Sequence, residues 1–250
     1  MRDYPAENAG DTPKVADMSG LTTIGFDADD TLWHHEIYYQ MTQDRFAALL
    51  AEHADKAHLS DRLLAAERKN IGHYGFGVKG FTLSMIETAI DVTSGAVPAS
   101  VIAEILEAGR EMLLHPIAAL PQAQAVLEAL AGRYKLVLIT KGDLFDQERK
   151  LAQSGLGDYF DAVEIVSGKE RGTYERVFAR HGDGPARAMM VGDSLKSDVL
   201  PALQAGAWAV HVPNEKRWAL DHAEAPLGAD RFREIADLGG LLAVVDAVTG

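Results

Sequence analysis

Cysteine is absent from all 250 residues, which excludes a disulfide framework, a thiolate metal site and a cysteine nucleophile together. Proline is sparse at 9 residues, and nothing in the composition suits a fibrous, collagen-like or disordered chain. Positive charge is short as well: 24 Lys and Arg face 37 Asp and Glu, a formal net charge of −13. Such a field repels nucleic acid and anionic membranes, so an anionic substrate must be met by a local cation. No apolar run approaches the roughly 18 residues of a membrane-spanning helix. Residues 1–20 are polar and acidic and predict a flexible tail without an export signal, and with it a cytoplasmic location. What remains, 47% hydrophobic, is long enough for a large core with a smaller unit inserted.

Local pattern divides that remainder. Leu21 to Phe26 is short, β-branched and aromatic, and runs into carboxylates and a Thr, as a buried strand ending in a loop does. From Glu36 to about His115 the apolar residues fall at helical spacing, broken by the glycine-rich stretch Gly72 to Gly80 and by a turn at Gly95 to Pro98, which predicts four helices. After His115-Pro116, helix and strand alternate: strands over Lys135–Ile139, Ala162–Val166, Ala188–Val191 and Trp208–Val212, and helices over Ala123–Gly132, Asp143–Ser154, Thr173–Arg180 and Leu195–Ala205. Repeated βα units predict an α/β fold with a parallel sheet covered on both faces, and functional residues at the carboxyl ends of its strands. The expected division is a core over 21–33 and 116–250, with an all-helical unit over 34–115 inserted into it.

The strand ends carry the chemistry. Asp27, Asp29 and Asp30 crowd the end of the first strand, and such crowding calls for compensation by a hard divalent cation such as Mg²⁺, which takes oxygen ligands and leaves room for a substrate phosphate. Later strands end in Thr140, in the segment holding Lys169, and in Gly192-Asp193, with Asp198 one helical turn on. A hydroxyl, an ammonium and metal-binding carboxylates on one sheet edge can neutralise a phosphoryl group while a carboxylate attacks it.

In the ordered set Asp27-x-Asp29-x-Thr31, Thr140, Lys169 and Gly192-Asp193-x₄-Asp198, the chain resembles the haloacid dehalogenase superfamily over residues 22–212. The resemblance implies a Rossmann-like core with a helical cap and a phosphoaspartate intermediate. By matching position, Asp27 is the expected nucleophile and Asp29 the acid that protonates the leaving oxygen and then the base that activates water. Thr140 and Lys169 would hold phosphate oxygens, Lys169 also restraining Asp27. Mg²⁺ would be held by Asp27, the Asp29 backbone carbonyl and Asp193, with Asp198 supporting them. A carboxylate at position 29 is what phosphate ester chemistry needs and what the dehalogenating members lack. The expected function is therefore Mg²⁺-dependent hydrolysis of a small phosphorylated metabolite by a monomer or homodimer, with no nucleic-acid or membrane partner. A phosphomutase on the same fold remains the alternative, and, from another class, a phospho-acceptor module or a catalytically silent binding protein.

Other positions are open at this level. Many relatives place a Pro after the motif Lys, whereas here the segment is Ser167-Gly168-Lys169-Glu170-Arg171-Gly172, so Arg171 competes with Lys169, which stands closer to the strand end. Lys141 could also reach phosphate. In the inserted helices, His73, Tyr74 and Lys79 on the glycine-rich stretch are the expected substrate contacts, because glycines let a loop approach and close over a ligand. Asp30 reads as an N-cap or solvent-facing group, and His34 and His35 could face the mouth of the site. Leu83, Met85, Ile86 and Ile90 form an apolar stripe read as helical core. Trp33 reads as a hinge residue and Trp208 as packing. The pairs Arg68-Lys69 and Lys216-Arg217 read as solvated surface.

Overall fold

The computed structural model describes residues 20–214, 216 and 218–250, so the predicted tail over 1–20 lies, Gly20 apart, outside the described residues, as does Arg217. Six parallel strands form one sheet in the order β3-β2-β1-β4-β5-β6: β1 Thr23–Phe26, β2 Lys135–Lys141, β3 Ala162–Val166, β4 Ala188–Gly192, β5 Trp208–His211 and β6 Phe232–Glu234. β1 is central, and all four of its residues are buried, because helices cover both faces of a parallel sheet. The side chains of Ile24 and Phe26 enter one apolar layer with Leu136, Leu138, Met189 and Val191. The opposite layer packs Val137, Ile139 and Met190 against Tyr174, Val177 and Phe178. Gly25 faces that second layer with no room for a side chain: a Cβ there would stand 2.9 Å from Ile139 Cδ1 and 3.1 Å from Phe178 Cε1.

Between β1 and β2 run α1 Glu36–Leu49, α2 Lys56–Tyr74, α3 Val78–Val92 and α4 Ala99–Leu114. They enclose an apolar cluster of their own, including Phe46, Leu50, Leu63, Phe81, Met85 and Ile105. The apolar stripe expected on α3 is divided: Met85 is fully buried, while Leu83 and Ile90 are exposed on the opposite face. Asp30, held at φ 59°, accepts from the backbone N–H groups of His35 at 3.0 Å and Glu36 at 2.8 Å, so it caps the start of α1 as expected.

The remaining helices are α5 Ala123–Leu130, α6 Leu144–Ser154, α7 Arg171–His181, α8 Leu200–Ala205 and α9 Leu241–Thr249. The single helix predicted over Leu195–Ala205 is a wide, π-type turn over Leu195–Val199 followed by α8, with Pro201 in the first turn of α8. β6 and α9 were not read from the sequence. Among the described residues no helix is long and apolar enough to cross a membrane.

Candidate active site

The chain moves outward from β1 through β2 to β3, then returns to place β4 on the other side of β1. Such a reversal opens a crevice at the carboxyl ends of the strands. Asp27 stands there, its backbone N–H donating to the Val191 carbonyl at 2.9 Å, which ties the ends of β1 and β4 together. Lys169, following β3, reaches across with its ammonium, donating to Asp27 Oδ1 and, at 2.7 Å, to Asp198 Oδ1. Arg171 is exposed and paired with Glu175 at 2.7 Å, so the alternative that competed with Lys169 is not in the crevice.

Asp198 is fully buried and its oxygens are occupied: Oδ2 accepts the Ser194 N–H at 3.0 Å, and Oδ1 also lies 3.4 Å from the hydroxyl of Tyr174, which donates to the Ser197 carbonyl at 2.8 Å. The wide turn that carries Asp198 folds it onto Gly192, where a Cβ would stand 2.7 Å from Asp198 Cβ. Asp193 is positioned through its backbone. Its N–H donates to Thr31 Oγ1 at 3.0 Å, and its carbonyl lies 3.0 Å from Nε2 of the buried His211, whose Nδ1 is 2.8 Å from Glu234 Oε2.

One oxygen each from Asp27, Asp193 and Asp198 lies within 4.8 Å of the others. Burial pushes the carboxyls of Asp27 and Asp193 above the usual carboxylate range, and their mutual repulsion and that of Asp198 add to it, with Lys169 opposing. Burial alone would lower the proton affinity of Lys169, but Asp198 and Asp27 outweigh it and raise it. Three carboxylates against one ammonium leave an uncompensated negative charge in a set of hard oxygen donors, which is the chemistry Mg²⁺ fits. With Asp198 already satisfied, Asp27 and Asp193 hold the oxygens free to meet such an ion.

Asp29 is held differently. Both of its oxygens lie 3.0 Å from the Lys150 ammonium of α6, the Trp33 indole N–H donates to Oδ1 at 2.8 Å, and the Gln147 amide donates to Oδ2 at 3.0 Å. Burial would raise this carboxyl, but His35, Lys150 and Trp33 hold it well below the usual range. Burial also pushes His35 down to about 4. At neutral pH the imidazole is therefore uncharged, and Lys150 and the two N–H donors keep Asp29 ionised.

Thr140, next to the end of β2, is buried, with its Oγ1 accepting from the Gln147 amide at 2.8 Å. Beside it, Lys141 Nζ donates to Ser197 Oγ at 2.8 Å, lies 3.4 Å from Asp221, and sits 4.8 Å over the Phe76 ring. A cavity of about 160 Å³ joins these groups, reaching from Asp27, Asp29, Thr140, Lys169 and Asp193 to α1, α2 and α3. His73, Tyr74 and Lys79 are not in its wall. Tyr74 is 54% exposed, and Lys79 is paired at 2.9 Å with Asp143, which does line the cavity. Positive φ at Gly75 and Gly77 turns the chain so that Phe76, between them, enters instead. Lys216 also lines the cavity rather than the solvated surface. His35 faces the cavity and His34 is exposed. Lys150, Gln147 and Trp218 in the wall were not read from the sequence.

Residues 21–206 match the family model of the haloacid dehalogenase-like hydrolases. The chain belongs to that family. A haloacid dehalogenase-like hydrolase from Xanthomonas campestris is 42% identical and superposes with a TM-score of 0.82 over 93% of this chain and 94% of its own. Among curated relatives, Pyrimidine 5'-nucleotidase YjjG of Escherichia coli is 33% identical over 93 residues, 35% of this chain and 41% of that protein. Glyceraldehyde 3-phosphate phosphatase of Methanothermobacter thermautotrophicus is 33% identical over 121 residues, 45% of this chain and 51% of that protein. The chain thus spans about half or less of the length of these two relatives. For a haloacid dehalogenase-like hydrolase, the crevice at the end of β1 is the natural place for the chemistry.

Proposed function

We propose that this hydrolase is a Mg²⁺-dependent phosphatase of the cytoplasm, acting as a monomer or homodimer on a small phosphorylated metabolite through an aspartyl phosphate. The observation that carries the reading is Asp27: a buried carboxylate restrained by Lys169, with Asp193 and Asp198 beside it and a second carboxylate, Asp29, two residues on. Attack by an Asp27 oxygen on phosphorus expels the alcohol oxygen, and Lys169 and Thr140 bind the phosphoryl oxygens. Mg²⁺ held by Asp27 and Asp193 supplies positive charge for the phosphoryl group. Asp29 handles the proton. In the Lys150 clamp it is ionised; swung toward the leaving oxygen and away from that ammonium, a buried carboxylate gains proton affinity, takes up a proton from solvent and delivers it to the leaving oxygen, then takes one from the attacking water as the acyl phosphate is hydrolysed. Helices α1 to α4 act as a cap that closes the cavity over the alcohol.

The relatives named for phosphatase and nucleotidase activities support phosphate ester chemistry. The test is phosphate release from p-nitrophenyl phosphate and a panel of phosphorylated metabolites with and without Mg²⁺, in the wild type and in Asp27→Asn. Metal-dependent release that the variant abolishes is expected. Release independent of metal, or substantial activity in Asp27→Asn, overturns the proposal.

A further inference from the structure

The cavity that opens from Asp27 carries more negative wall than phosphoryl transfer uses. Glu36 of α1 and Glu67 of α2 both line it on the side made by the inserted helices. Glu67 is 7% exposed; its Oε2 accepts the Trp218 indole N–H at 2.9 Å, and no cation pairs with it among the described residues. No described residue donates to the Glu36 carboxylate at all. Burial raises both carboxyls, and Glu67, Asp30 and Asp221 repel Glu36 further, taking it to about 8. The wall's own ammonium groups are engaged elsewhere: Lys150 with Asp29, Lys169 with Asp27 and Asp198, Lys141 with Ser197 and Asp221. Lys216 makes no hydrogen bond to either glutamate.

Two further observations point to what this side receives. Aromatic rings line it: Phe76 meets Trp218 edge-on with centroids 6.1 Å apart, and Tyr39 meets Phe81 at 4.8 Å. Ring faces attract cations. Separately, Gln147, 3% exposed and in the same wall, has a buried Oε1 with no donor, while its Nε2 is within 3.0 Å of acceptors on Asp29, Thr140 and Lys141. A buried carbonyl without a donor costs free energy until a ligand supplies one.

We propose that the alcohol half of the substrate carries an ammonium group, seated between Glu36 and Glu67 against the Phe76 and Trp218 rings, which makes the substrate a phosphorylated amino alcohol or amino sugar. A neutral polyol would leave the buried Glu36 carboxyl protonated and without a charged partner, and a second anionic group would oppose ionisation of either glutamate further. An ammonium supplies the countercharge that lets Glu36 ionise, and its N–H donors match acceptors without a described donor, the Glu36 carboxylate and Gln147 Oε1 among them. The hydrolysis itself is unchanged: water and the phosphate ester give the free amino alcohol and phosphate. The inference rests on the phosphatase reading.

The test compares matched esters in the wild type with Mg²⁺: 2-aminoethyl phosphate against propyl phosphate, and glucosamine 6-phosphate against glucose 6-phosphate, with p-nitrophenyl phosphate as reference. The amine member of at least one pair should show kcat/KM about tenfold or more above its partner, chiefly through KM, and Glu36→Gln and Glu67→Gln should each pull that ratio toward one. A smaller preference in both pairs overturns the inference, as does a ratio that neither variant changes. Hydrolysis of the aryl phosphate without amine preference leaves the phosphatase reading standing and removes only this one; no hydrolysis of any ester removes both.

Discussion

Lys150 Nζ lies 3.0 Å from each oxygen of Asp29, and this ammonium is itself only 5% exposed. A buried charge pair of this kind is costly to halve, because removing one partner strands the other in a poorly solvating site.

Lys150→Met should therefore destabilise the protein by about 3 kcal/mol at pH 7. Asp29 is held below its unfolded proton affinity, so its contribution to stability is present above the ordinary carboxylate range and is lost as the pH falls through the lowered folded value. Without Lys150 that contribution is already missing at neutral pH. In the variant the buried Asp29 carboxyl, freed of the ammonium, gains proton affinity and is neutralised as the pH falls, so the gap between wild type and variant should be widest near pH 7 and narrow toward pH 4. Urea denaturation at the two pH values measures it; a gap that is constant or wider in acid contradicts the clamp.

Two glycines separate packing from chemistry. Gly25→Ala pushes a methyl into Ile139 and Phe178, and Gly192→Ala pushes one into the Asp198 carboxylate. Each overpacked site should cost about 1–3 kcal/mol. Their activities should differ: Gly25→Ala should keep most of its kcat per folded molecule, whereas Gly192→Ala displaces the group that holds Lys169 and should lose about a hundredfold or more. Thermal melts beside steady-state rates read both. Equal rate losses would mean that Asp198 does not position Lys169.

Much of this site is legible in sequence because each group follows a strand. Asp27, Thr140, Lys169 and Asp193 sit just past runs such as Leu136-Val137-Leu138-Ile139, whose hydrophobicity announces a buried parallel strand, and β3 has the bounds its pattern predicts. What pairs with Asp29 is hidden, since Lys150 lies 121 residues away on an amphipathic helix where a lysine reads as solvated surface. Trp218, in a loop, meets Glu67 across 151 residues, a pairing that no local pattern reveals. The glycine-rich stretch borders the cavity, but which of its side chains turns inward depends on the positive φ angles at Gly75 and Gly77, and these favour Phe76 over His73, Tyr74 and Lys79. β6 escaped because three residues, Phe-Arg-Glu, with one buried, carry no usable alternation.

Glu36 gives a pH signature opposite in sign to that of Asp29. Burial, with Asp30, Glu67 and Asp221, raises its folded value to about 8, above its unfolded one. The stability contributed by the protonated group is fully present below the unfolded value and is lost as the pH rises through about 8. Glu36→Gln keeps a neutral side chain throughout, so its melting temperature should gain on the wild type between pH 5 and pH 9, measured without substrate. A difference that stays flat or shrinks over that range would place Glu36 in water.

Metal binding should release protons. Asp193 and Asp27 are held above the usual carboxylate range by burial and by each other, so part of the population carries a proton that a cation must displace. Titrating Mg²⁺ calorimetrically near pH 6.5 in two buffers of different ionisation enthalpy should give different heats, the difference reporting protons released, and it should shrink as the pH is raised past about 7 and Asp27 ionises before the metal arrives. Saturating Mg²⁺ should also raise the melting temperature, since it binds the folded carboxylate set and not the unfolded chain. Asp193→Asn removes the charge and the titrating group of one of the two carboxylates free to ligate, and should weaken both effects together. Identical heats in the two buffers would show that the three carboxylates are already ionised and compensated before the ion arrives, and that Lys169 alone suffices to balance them.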